Sequence, residues 1–297
     1  MAGFGLAAGA AAQGPVQRML RRSQTEDAAV GIDLGLKGNI NHSICEWCFT
    51  ADCSVDPMTL DQLCQFAVQL GVKSIELADV AKWETLKKYG LICAMSNSHG
   101  FARGFNDRAN HEWATEIMKK SIDDTSAAGF PNVITFPGFR NDIPDDVGLE
   151  NCVEGLKPVV QYAEQKNVTV CMEILNSRVD IEMKGHPGYM ADTVDFCAEV
   201  CKRIASPRMK ILFDVYHVQI MQGDVITRIK ETAEYIGHYH TAGNPGRNEL
   251  DDTQEIHYPG VINAVKETGF DGYVGHEFIP TRDPRQGIIE AIQLCDV

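Results

Sequence analysis

The stretch ETGFDGYVGHEF (267–278) passes from the end of an amphipathic pattern through a glycine into a short apolar run, and closes on a carboxylate, Glu277. Gly269 stands where a helix C-terminus favours a left-handed residue. The run after it has the length of a buried strand and is too short for a helix. The same device recurs upstream, where Gly71, Gly90 and Gly129 each follow a helical pattern and precede a strand-like run.

Working outward, strands are expected at 43–48, 74–77, 92–96, 132–136, 169–175, 210–214, 235–239 and 272–277. Between them lie amphipathic stretches at 56–70, 83–89, 110–128, 149–165, 190–204, 225–235 and 260–268, with a last one at 286–293. In the third, Trp113, Ile117, Ile122 and Ala127 keep one face; in the fourth, Leu156, Val160 and Ala163 do so. No Pro-, Gly- or Ser-rich linker and no repeat divides the chain. Eight strand–helix units in series predict one α/β domain over 39–297, a closed (β/α)8 TIM barrel. The alternative, an open doubly wound sheet, ordinarily announces itself by a Gly-rich loop after its first strand. Here the first strand leads into TADCSVDP (50–57), in which Asp56 and Pro57 read as a helix cap and a first-turn proline.

The formal charge of −14 disfavours nucleic acid as a partner, because binding to phosphates rests on basic side chains. No apolar run is long enough to span a bilayer, so no membrane is expected. Ten cysteines in 297 residues are too sparse for a disulfide scaffold. Cys45 and Cys48 have redox or metal spacing, but ICEWCF (44–49) reads as a strand end with no second pair to complete a zinc set. They are expected to be core or loop thiols, as are Cys197 and Cys201. Residues 1–38 form a flexible or signal-like extension outside the barrel. Met1–Gly14 is Ala- and Gly-rich with no Lys or Arg before it, and Arg21 and Arg22 follow the apolar run. A cytoplasmic location is expected; the alternative is export, with this stretch as the remnant of a signal peptide.

A barrel of this kind places its chemistry at the carboxyl ends of the strands. Four of those ends carry it. The fifth strand, VCMEILN, offers Glu173; the sixth, KILFDVYH, offers Asp214 with His217 beyond; the seventh, IGHYHTAG, offers His238 and His240; the eighth ends at Glu277. A carboxylate placed directly after apolar residues is costly to bury unpaired, and one cation accounts for Glu173, Asp214, His240 and Glu277 together. Three carboxylates and an imidazole favour Mg²⁺ or Mn²⁺ over zinc, with Co²⁺ also accepted. His238 either orients a ligand or packs inside the barrel. Arg247, in TAGNPGRNELDD (241–252), could clamp an anionic or hydroxylated substrate. Asn176, Arg178, Asp180 and Glu182 follow Glu173 as further candidates. His99 lies in SNSHGFARGFND (96–107), whose Gly100–Gly104 segment reads as a lid, and Glu46, Trp47 and Phe49 are expected to be exposed at the first strand end.

These motifs have a family likeness. EWCF, SIELAD, RGFND, NVITFPG, GLENCVEGLKPVVQYAEQK, CMEILNS, FDVYHVQIMQGD, YIGHYHTAGNPGR, DDTQEIHYP and GYVGHEFIPTR, spread over 40–282, resemble the xylose isomerase-like TIM-barrel superfamily of sugar isomerases and epimerases, and within it the hydroxypyruvate isomerase-like proteins. The resemblance implies that Glu173, Asp214, His240 and Glu277 bind one divalent ion, that Glu173 and Glu277 serve as acid and base, and that His217 and Arg247 hold substrate. It implies a small hydroxy-carbonyl substrate, no organic cofactor, and conversion of hydroxypyruvate to tartronate semialdehyde through a cis-enediolate. The alternative is a ketose 3-epimerase acting on a free sugar. Asp180 or Glu182, if turned inward, favours the sugar, since a carboxylate there repels an acid. A homo-oligomer is possible. The superfamily also includes a three-zinc endonuclease with an Asp-x-His pair after its seventh strand's histidine, where this chain has NPGRNELDD, so DNA repair is not expected.

Overall fold

The structure, a computed structural model, describes residues 31–297. Seven strands form one parallel sheet: β1 (Asn41–Cys45), β2 (Ser74–Glu76), β3 (Asn132–Thr135), β4 (Thr169–Glu173), β5 (Met209–Asp214), β6 (Ile236–Thr241) and β7 (Tyr273–His276). Their order is β2-β1-β7-β6-β5-β4-β3. Among the described residues, ten α-helices accompany them: α1 (Glu46–Thr50), α2 (Leu60–Gln69), α3 (Trp83–Lys88), α4 (His111–Ala128), α5 (Asp145–Lys166), α6 (Val194–Ile204), α7 (Val215–Met221), α8 (Val225–Thr232), α9 (Tyr258–Glu267) and α10 (Pro284–Cys295).

The architecture is TIM-barrel-like, but the closed eight-stranded barrel expected from the sequence is corrected. The sheet is open between β2 and β3, where the expected third strand, 92–96, makes only two isolated bridges, Ile92 to Ser74 and Ser96 to Val133. Backbone bonds remain at its two ends, from Ile92 to Lys73 and Ile75 and from Ser96 to Asn132 and Ile134, but at Ala94 two polar side chains take the place of the ladder. The Ala94 amide donates to Ser74 Oγ at 3.0 Å, and its carbonyl accepts from Asn132 Nδ2 at 2.9 Å. The backbone bends between these contacts, so Leu91–Ser96 fills the gap without extending as a strand.

Several local expectations are also corrected. Glu46–Cys48 does not continue β1. The chain turns at Cys45 into α1, with Glu46 in its first turn, where a carboxylate complements the helix dipole. Glu46 is buried and held by Lys82 Nζ at 3.0 Å, while Phe49 packs edge-on to Phe278, so neither is exposed. Helix α2 starts at Leu60, not beside Pro57. Thr59 Oγ1 accepts the Gln62 amide at 3.2 Å and Gln62 Oε1 accepts the Thr59 amide at 2.8 Å, which satisfies two helix-start donors at once. In α4 the buried face is Ala114, Met118, Ile122 and Thr125, so of the four positions expected there only Ile122 is buried. Leu156, Val160 and Ala163 in α5 are buried as expected.

The four glycines at helix ends all have φ between 71° and 78°. All ten cysteines are free, nine of them buried. Residues 31–38 run without regular structure against the core through Ile32, Leu34 and Leu36, and the Lys37 amide donates to Asp296 Oδ2 at 2.5 Å. The signal-like stretch falls largely outside the described residues. Among the described residues, no helix is long and apolar enough to cross a membrane.

Candidate metal centre and pocket

Parallel strands end on one face, and that geometry gathers the four residues singled out in the sequence. Glu173 closes β4, Asp214 closes β5, His240 is next to last in β6, and Glu277 follows β7. The β5–β6 register sets Asp214 directly against His240. One donor atom from each of the four lies within 4.8 Å of the others, and all four residues are buried. His240 Nδ1 is 3.2 Å from Glu173 Oε1 and 3.1 Å from Glu277 Oε2.

The electrostatics of the cluster are unbalanced. Burial works against the charge on Glu277, yet Arg247 and His240 beside it hold its carboxyl well below the usual range. Burial pushes Glu173 up, aided by the charge of Glu277 and opposed by the hydrogen bond with His240. Burial pushes Asp214 up as well, against the pull of Arg247. Asp214 Oδ2 and His217 Nε2 are buried without a hydrogen-bond partner and stand 3.8 Å apart. An oxygen-rich donor set with one imidazole, desolvated carboxyls and an unpartnered carboxylate oxygen fits a divalent cation. Binding such an ion requires Glu173 and Asp214 to give up any proton they hold. Affinity should therefore rise between about pH 5 and about pH 8 as the carboxyls ionise, with protons released on binding, and level off only once His240, which burial would lower but Glu277 holds well above its usual value, has also lost its proton. Calorimetry in buffers of different ionisation enthalpy measures this; affinity that is flat across that range would remove the raised carboxyls from the binding step.

The other expected site residues are distributed differently. Arg247 is buried and already engaged: Nη2 donates to Glu277 Oε2 at 2.5 Å and Nη1 to the Met183 carbonyl at 2.8 Å. Its guanidinium lies over Trp47, whose Nε1 donates to Glu277 Oε1 at 3.1 Å. His217, fully buried behind Asp214, accepts the Asn176 amide on Nδ1 at 2.9 Å and does not line the cavity. His99 spends both ring nitrogens within the protein, on the Arg103 carbonyl at 3.0 Å and on Thr135 Oγ1 at 3.2 Å, and burial lowers its pKa to about 4. Arg178 and Asp180 are exposed away from the cavity. The supposed lid is anchored at one end, because a Cβ on Gly104 would lie 2.2 Å from the Phe136 carbonyl oxygen.

A cavity of about 650 Å³ opens above the cluster, with Glu173, Glu277 and Arg247 on its wall beside Trp47, Phe101 and Phe136. The loop after β4 crosses its mouth and contributes Glu182 and His186. Asn176 Nδ2 and Tyr216 OH both donate to the Lys184 carbonyl at 2.8 Å, fixing that loop to the strand ends. His186, its ring tilted against Phe101 with centroids 4.4 Å apart, had no signal in the sequence beyond its place in a polar loop. Glu76 was also missed as a site residue. It lies in the family-like phrase SIELAD, and its carboxylate reaches both His238 and His240 inside the barrel.

Residues 63–296 match the profile of the xylose isomerase-like TIM-barrel family. A 2-oxo-tetronate isomerase from Cupriavidus necator is 33% identical over 49% of this chain and 55% of its own, so this chain matches little more than half the length of that relative. The hydroxypyruvate isomerase of Escherichia coli K12 is 26% identical over 54% of this chain and 72% of its own. Among solved structures, an AP endonuclease of family 2 from Brucella melitensis superposes with a TM-score of 0.73 at 20% identity, over 84% of this chain and 97% of that one. A D-allulose 3-epimerase from Methylomonas sp., in complex with D-allulose, gives a TM-score of 0.66 at 16% identity, over 88% and 96%. At these identities the two structures establish a shared fold and nothing finer.

Proposed function

This chain belongs to the xylose isomerase-like TIM-barrel family, and from that premise we propose that it is a divalent-metal-dependent isomerase or epimerase of α-hydroxy ketones, with a free ketose as substrate and C3 as the centre inverted. The observation that carries the reading is the convergence of Glu173 and Glu277, two buried carboxylates that line one cavity, with Asp214 and His240 in a single cluster of donors. These four residues would hold the ion, Mg²⁺ or Mn²⁺ by donor chemistry, with Co²⁺ also accepted. When bound, a divalent ion supplies Lewis-acid stabilisation of negative charge on the substrate oxygens. One glutamate takes the proton from the carbon beside the ketone, leaving an enediolate, and the other returns a proton to the opposite face. One proton leaves and one arrives, so no organic cofactor or redox partner is required. Trp47, Phe101 and Phe136 wall the site against water.

The choice of ketose over keto acid rests on charge. Glu182 lines the mouth, Asp79, Asn97 and Ser98 lie further along the wall, and the Arg247 cation is already neutralised by Glu277. Such a wall offers hydrogen bonds to hydroxyls and no free cation to a carboxylate. The sugar epimerases among structures of this fold are in keeping with that choice. A second reading, hydroxypyruvate to tartronate semialdehyde, draws on the named activities of the sequence relatives and on Arg247 as the cation nearest the cluster. The test is a Mn²⁺-supplemented panel of free ketoses and hydroxypyruvate in D₂O, followed by NMR. Exchange at ketose C3 with hydroxypyruvate untouched is expected. Rapid turnover of hydroxypyruvate alone, with KM raised by Arg247→Ala, would replace the epimerase by the isomerase.

A further inference from the structure

Beneath the four donors, the barrel interior holds a charged group that the proposed reaction does not use. Glu76 projects from β2 with no exposed surface. Its Oε1 accepts from His238 Nε2 at 2.9 Å and from His240 Nε2 at 2.8 Å, and the Cys45 thiol lies 3.5 Å away. Among the described residues, its only ion-pair contacts are these two imidazoles. Space for the carboxylate comes from β7, on the far side of β1: a Cβ on Gly275 would stand 2.3 Å from Glu76 Oε1 and 2.9 Å from His240 Cδ2. A glycine on one strand and a buried acid on another thus fit together around one histidine ring.

The two nitrogens of His240 face opposite ways. Nε2 meets Glu76, and Nδ1 meets Glu173 and Glu277. A neutral imidazole that donates Nε2–H to a carboxylate must present a lone pair at Nδ1, the form in which histidine ligates a metal. We propose that Glu76 is a positioning residue that sets both the ring orientation and the tautomer of His240, with His238 holding Glu76 in place from the other side and Gly275 leaving room for it. This rests on the reading of Glu173, Asp214, His240 and Glu277 as an ion site. With Glu76 in place the ring can give up the Nδ1 proton now shared with Glu173 and keep the one on Nε2; without Glu76 the remaining proton can stay on Nδ1, donated to Glu173 or Glu277, which closes the site to a cation.

The test uses the full chain with Mn²⁺ or Mg²⁺ as the only added ligand. Glu76→Gln is nearly isosteric, and Gly275→Ala attacks the same contact from β7. Both should weaken Mn²⁺ binding by about 10–100-fold in calorimetry while circular dichroism stays native. Long-range ¹H–¹⁵N spectra of the Mg²⁺-loaded wild type should show His240 protonated on Nε2 alone, and Glu76→Gln should lose that signature, which a merely space-filling role would not alter. Binding by Glu76→Gln within about twofold of the wild type would overturn the proposal. So would a wild-type His240 protonated on Nδ1, a result that stands even where a variant does not fold. A wild-type protein that takes up no Mn²⁺ would sink the ion site itself and this inference with it, whereas normal wild-type uptake with indifferent variants would sink only the inference.

Discussion

Removal of divalent ions should abolish turnover, and Mn²⁺, Mg²⁺ or Co²⁺ should restore it. The proton beside a ketone is far too weakly acidic for a glutamate to remove unaided, and among the described residues the cavity wall offers the developing charge on the oxygens no free cation, because Arg247 is committed to Glu277 and to the Met183 carbonyl. Ion binding should also stabilise the fold. A ligand at 100 times its Kd adds about 2.7 kcal/mol, which for a chain of this size raises Tm by roughly 4–5 °C. His240→Ala should remove both responses, since it deletes the one nitrogen donor of the cluster. His238→Ala should blunt them less, because its hydrogen bond goes to Glu76 and its ring meets His240 only edge-on, without touching the ion-binding nitrogen. Protein shown by elemental analysis to be metal-free yet fully active would end the metal reading. A Tm indifferent to all three ions would remove the site even if activity persisted.

The four donors could be found without coordinates for a simple reason. Each is a titratable residue placed directly at the end of an apolar strand, and parallel strands gather their ends on one face. What escaped notice depends on pairings that sequence distance conceals. Arg247 looks like a free anchor until Glu277, far along the chain, is found against its guanidinium. Glu76 looks like the polar position of a short alternating strand, and only the histidines of β6 and the missing side chain at Gly275 reveal an inward-facing acid. The same holds for the fold. Leu91–Ser96 has the composition of a strand, yet at Ala94, its middle, Ser74 Oγ and Asn132 Nδ2 take the bonds a ladder would have used, and the sheet opens there. Helix α7 was passed over because KILFDVYH reads as a strand running out. Asp214, which closes that strand, also caps the helix by accepting the His217 amide at 3.0 Å. A single residue that ends a strand, starts a helix and joins the cluster leaves only one of those roles visible in the sequence.

Glu173→Gln and Glu277→Gln should each lower turnover by about 10²–10⁴-fold, the usual magnitude for losing a positioned general acid or base. An amide keeps an oxygen that can coordinate an ion, so much of the metal affinity should survive both changes. The two variants should nevertheless differ in stability. Glu277 is the buried partner of Arg247, and neutralising it leaves a desolvated guanidinium unpaired, a loss commonly of about 3–5 kcal/mol. Glu173 has no Arg or Lys partner among the described residues, and burial already pushes its carboxyl toward the neutral form, so Glu173→Gln should be nearly silent in Tm. The faces of the substrate supply the sharper separation. If each glutamate serves one face of C3, each variant should still exchange the C3 proton of one epimer with D₂O and fail to exchange it in the other. Glu173→Gln and Glu277→Gln should then spare opposite epimers while neither interconverts them. Loss of exchange on both epimers in one variant, with full exchange on both in the other, would assign all proton transfer to a single carboxylate, and the two-base mechanism would fall.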